Sequence, residues 1–131
     1  MINSDVKAVY ATFPEGVRQA CFVVRELIYA IADKTDEIGR IEETLKWGVP
    51  SYMTVEPKTG TTIRLSASRE HVEKFTVSVH CQTTLIAEFR EIYPDEFQYD
   101  KNRSLILDNR RALPMAELEH FIYQALTYHI N

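Results

Sequence analysis

The amino-acid sequence predicts an α+β domain: an antiparallel sheet of about five strands with helices packed on one face. Three observations predict it. Apolar residues recur at helical spacing near both ends of the chain, as Val17, Cys21, Val24, Ile28 and Ile31, and as Leu118, Phe121, Ile122 and Ala125. Between those ends, Ile63, Leu65 and Ala67, then Phe75, Val77, Val79 and Cys81, alternate with polar residues at the two-residue period of half-buried strands. The segments run in the order α-α-β-β-β-α-β-β-α, with strands grouped between helices rather than alternating strictly with them.

Each element has its own signal. Asp5 to Thr12 reads as a short helix broken by Pro14, whose preset φ and missing N–H suit the start of a second helix. In that helix the stripe from Val17 to Ile31 steps by four and three, with Arg18, Arg25, Glu26 and Asp33 toward water. The apolar period lapses from Asp36 to Arg40, and Gly39 marks a turn before Ile41. Leu45 and Trp47 then alternate with Thr44 and Lys46 until Gly48 and Pro50 end or bend the strand. Glu56 to Gly60 is a turn, and Ser68 to Glu73 joins the two central strands as a hairpin. Thr83 or Thr84 caps a helix running to Tyr93 and closed by Pro94. Phe97 to Asp100 and Ser104 to Leu107 are short strands about a Lys101-Asn102-Arg103 turn, and Pro114 opens the last helix.

Composition limits the function classes. The 131 residues carry a formal charge of −4, with 45% hydrophobic and 26% charged residues, which suits one soluble globular domain spanning 1–131 and excludes disorder as the main state. A chain of this length hides roughly 65% or more of its unfolded surface, so the core needs no disulfide or metal staple. The longest uncharged stretch, Phe75 to Ala87, is too short and polar to span a bilayer. No basic leader precedes an apolar run near Met1, so the expectation is a cytoplasmic chain without a signal peptide. Cys21 and Cys81 form no CxxC pair, sit among apolar neighbours and read as small buried hydrophobes. No phosphate-binding glycine loop, GxSxG elbow or HExxH motif is present.

Side-chain alternation places Lys46, Arg64, Ser66, Thr76, Ser78 and His80 on the sheet face away from the helices, with Gln98 if its strand keeps phase. One reading is an uncovered, solvated face. The other is a shallow site for a small anionic ligand or an acidic partner protein, with Lys46 and Arg64 as charge partners, Ser78 among the hydroxyls, and His80 as donor or acceptor. Trp47, Pro50 and Tyr52 beside the Gly-x-Pro bend either line that pocket or, for Trp47 in phase with Leu45, anchor the core. An enzyme with His80 as acid or base has no visible nucleophile or oriented dyad.

Two acidic stretches offer oxygen ligands. Asp33, Asp36, Glu37, Glu42 and Glu43 give a net −3 with Lys34 and Arg40, and the segment from Glu88 to Asp100 gives −4. Glu117 and His120 also have ligand-compatible spacing, though a site needs a further partner. Lys101, Arg103, Arg110 and Arg111 make a basic patch around Asp108, but a pI of about 5.6 argues against nucleic acid. Exposed edge strands leave a monomer or a homodimer open.

The Phe13-Pro14-Glu15-x-Val17-Arg18 opening, the Arg25-Glu26-Leu27-Ile28 run and the segment Glu42-Glu43-Thr44-Leu45-Lys46-Trp47-Gly48-Val49-Pro50-Ser51-Tyr52 together resemble the YdhG-like family of small, mostly bacterial proteins of unknown function. The resemblance implies a compact α+β fold of frataxin-like type and no established enzyme activity. For some relatives it implies an intracellular iron chaperone, with iron on the carboxylates between Asp33 and Glu43. The mixed signs from Glu15 to Arg40 depart from the dense acidic ridge that such a role needs.

Overall fold

The structure, a computed structural model, describes residues 2–130. Helices α1 (Ser4–Tyr10) and α2 (Glu15–Asp33) come first, then strands β1 (Arg40–Lys46), β2 (Val49–Val55), β3 (Ile63–Ala67) and β4 (Lys74–Ser78). Helix α3 (Leu85–Ile92), strands β5 (Gln98–Asp100) and β6 (Ser104–Asp108), and helix α4 (Met115–Leu126) complete the chain. The result is the expected α+β architecture, with one six-stranded antiparallel sheet in the order β1-β2-β3-β4-β6-β5. No described helix is long and apolar enough to cross a membrane.

Local chemistry sets the helix starts. Asn3 caps α1, its Oδ1 accepting from the Asp5 and Val6 amides at 2.9 and 3.2 Å. Pro14 and Pro114 stand at the N-caps of α2 and α4 and make no side-chain cap, so those helices are held by packing. Val17, Cys21, Val24, Ile28 and Ile31 of α2 are fully buried, and so are Leu118, Phe121, Ile122 and Ala125 of α4. They meet Tyr52, Ile63, Leu65, Phe75, Val77, Leu105 and Leu107 from one face of the sheet in a single core.

Three expectations change. The sheet has six strands because Trp47 and Gly48 form a two-residue turn, with φ of 55° and 74°, that pairs Lys46 with Val49. Two consecutive positive φ values match the right-handed twist of the flanking strands, so the chain reverses where the strand was expected to end or bend, and Val49–Val55 returns as a further strand. Trp47 thereby leaves the phase of Leu45 and is 96% exposed rather than a core anchor. Cys81 is exposed as well, since β4 ends at Ser78 and the chain turns away from the sheet, whereas Cys21 is buried and its thiol is pushed up to about 12 by desolvation.

Candidate functional site

Strand register determines what shares the open face. Ser51 pairs with Arg64, Arg64 with Ser78, and Ser78 with Ser104, so these residues form one row across the sheet. Ser66, Thr76, Ile106 and Gln98 form the next. Adjacent residues of each strand face the helices, which puts Glu43, Leu45, Pro50 and Tyr52 on the core side.

Two cavities open on this face and share Arg64 and His80. The first, of about 490 Å³, is lined by Lys46, Lys58, Thr61, Thr62, Gln82, Tyr128 and His129 besides the shared pair. The second, also about 490 Å³, is lined by Trp47, Val49, Ser66, Thr76, Ser78, Cys81 and Arg103. Among the described residues they gather four cationic side chains and two imidazoles, and no Asp or Glu lines either one. In a chain with 19 acidic and 15 basic residues that segregation is marked.

Among the described residues Lys46, Lys58, Arg64 and Arg103 form no salt bridge, although six such pairs occur elsewhere. The Arg64 Nε is shielded from solvent and meets no hydrogen-bond acceptor. A buried donor in that state costs about 1–3 kcal/mol, more on a charged group. The His80 Nδ1 accepts from the Gln82 amide at 3.1 Å, which places the ring proton on Nε2 as a donor. Ser78 and Ser104 hydroxyls hydrogen-bond each other at 2.7 Å.

One wall of the first cavity is tied to the C-terminal segment. The Thr59 hydroxyl donates to the Leu126 carbonyl at 2.9 Å, the Thr61 amide to the Ala125 carbonyl at 2.9 Å, and the His129 amide to the Thr59 carbonyl at 2.9 Å. Gly60 lies so close to the Ala125 and Leu126 backbone that no Cβ fits there. These contacts hold Lys58 and His129 at one opening.

Of the residues expected to bind a ligand, Lys46, Trp47, Arg64, Ser78 and His80 line the two cavities. Pro50 and Tyr52 do not. Both are buried on the opposite side, because they share the inward phase of Leu45. Lys58, Arg103, Tyr128 and His129 join the site from loops and the chain end, with no local motif to announce them.

The acidic residues are dispersed. Asp33 and Asp36 border a cavity beside Arg40, Glu37 is exposed, and Glu42 faces the open side of the sheet. Glu43 faces the core, where it accepts from Arg25 Nε at 2.6 Å and Nη2 at 3.2 Å, from the Tyr52 hydroxyl at 2.9 Å and from the Asn3 amide at 2.8 Å. Burial alone would raise its carboxyl, but these donors outweigh burial and hold it below the usual value. The Tyr52 and Tyr10 hydroxyls, 2.6 Å apart, are both pushed up by desolvation. The five carboxylates therefore do not converge, and no group of three or more metal-ligating side chains gathers among the described residues. His120 meets the Tyr93 hydroxyl at 2.9 Å. Arg110 is engaged by Asp108 at 2.8 Å and Glu73 at 3.6 Å.

No protein-family model, curated protein or solved structure matches this chain.

Proposed function

We propose that this domain is a binding module that captures a small anionic ligand on its open sheet face. One observation carries the reading: two adjoining cavities bring Lys46, Lys58, Arg64 and Arg103 together, and among the described residues no Asp or Glu lines them. Gathering like charges without counter-ions works against folding. At an effective dielectric of about 20, two such charges 4 Å apart repel by about 4 kcal/mol, and less at wider spacing. An anion in the cavity converts that repulsion into attraction and offers acceptors to the Arg64 guanidinium. His80 supplies a ring N–H donor beside it.

An amide NMR titration with inorganic pyrophosphate at low salt tests this. Saturable shifts at Thr61, Arg64 and His80 are expected, together with their loss in Arg64→Gln and in Lys46→Glu with Arg64→Glu. Because Arg64 has no partner to lose, Arg64→Gln is expected to keep or raise the melting temperature. Shifts that never saturate, or that persist unchanged in both variants, would refute the site.

A further inference from the structure

We infer that the ligand is a polyanion joined to a planar aromatic ring, of the nucleoside di- or triphosphate class, with its ring on Trp47 and its phosphates at Lys46, Lys58 and Arg64. The inference rests on the anion-binding reading and adds the ring. Its observation is Trp47, which borders the same cavity as Arg64 and His80 and is 96% exposed. A tryptophan contributes to a core only when buried, and this one contributes nothing to it.

Its backbone points the same way. Trp47 has a φ of 55° at the first position of the β1–β2 turn, where Asn, Asp or Gly is favoured and a bulky side chain is strained. The chain thus holds its single tryptophan in an unfavourable conformation, in water, beside a cation-lined cavity. An indole plane so placed is a stacking platform, and aromatic stacking on a base is tolerant of which base it is.

The two adjoining cavities divide the ligand. The one with Lys46, Lys58 and Arg64 suits more than one negative charge, and the one with Trp47 carries hydroxyls and an apolar edge at Val49. A nucleic-acid strand needs a continuous basic track. Here Arg110 is spent on Asp108 and Glu73, and neither Lys101 nor Arg111 lines these cavities. A free nucleotide fits the confined charge.

Because Trp47 is the chain's one tryptophan, its fluorescence reports the contact directly. ADP, adenosine and pyrophosphate are titrated against the full chain, with calorimetry to extend the comparison to Trp47→Ala and Trp47→Phe. ADP is expected to change the emission and to bind about tenfold more tightly than pyrophosphate. Trp47→Ala is expected to erase that difference without weakening pyrophosphate, and Trp47→Phe to restore most of it. Equal affinity for ADP and pyrophosphate, or equal loss of both in Trp47→Ala, overturns the ring contact and leaves the anion site standing. If neither binds, both readings fall. Tenfold tighter binding of a single-stranded decanucleotide than of ADP overturns the free-nucleotide assignment.

Discussion

Replacing Glu43 by alanine strips the counter-charge from Arg25 on the side of the sheet opposite the proposed ligand. Glu43 keeps 5% side-chain exposure and Arg25 17%, and their bidentate contact spans 2.6 and 3.2 Å. Breaking a buried pair from one side costs about 3–5 kcal/mol. The partial exposure of Arg25 lets it recover some hydration, and the Tyr52 hydroxyl keeps Tyr10 as a partner, so a loss of about 3 kcal/mol is expected. With an unfolding entropy of about 2.1 cal/mol/K per residue, that is a fall of about 11 °C in melting temperature. Scanning calorimetry and urea unfolding measure it. Arg25→Met with Glu43→Leu is expected to recover at least half of the loss, since removing both charges leaves no buried charge unpaired. The pH dependence has a definite sign. The folded Glu43 carboxyl lies below its usual value, so its stabilisation is fully present above about pH 4.5 and is lost as pH falls below that. Wild type and Glu43→Ala should therefore converge in acid. A loss below about 1 kcal/mol at neutral pH, or a gap that widens in acid, would refute the argument.

Trp47→Asn supplies the residue that a turn with two positive φ values favours and is expected to raise stability by about 1 kcal/mol, or about 4 °C, while removing the ring contact. A lower melting temperature would show that the indole supports the fold. Gly60→Ala places a methyl against the Ala125 and Leu126 backbone and is expected to cost about 3 kcal/mol by urea unfolding, with disturbed amides at Thr59 and His129. A near-neutral result would show that the last turn of α4 shifts freely.

Much of the scaffold was legible because burial leaves a period. The stripes of α2 and α4, and the alternation in β3 and β4, follow from which side chains must leave water. The β1–β2 hairpin was not legible, because Trp-Gly is an uncommon pair for that turn and Pro50 discourages a strand that in fact contains it. Glu43 could have been placed by parity, two residues before Leu45, with Arg25 beside the buried stripe as its partner. In the candidate site, strand phase alone places Lys46, Arg64 and Ser78 on the open face, whereas His80 lies past the end of β4. Lys58, Arg103 and His129 lie outside the regular elements and reach the cavities through tertiary contacts that no local pattern encodes.

The tie between Thr59, Thr61 and the end of α4 makes the first cavity a joint rather than a dent. One side belongs to the β2–β3 loop, the other to residues that follow the last helix, and they are about seventy positions apart in the chain. Whatever occupies the gap presses on both at once. Occupancy at a hundred times the dissociation constant adds about 2.7 kcal/mol to the docked state. The amides of Thr127 and His129 should then exchange their hydrogens more slowly, and the tail of this small domain would serve as the indicator of whether its sheet is loaded.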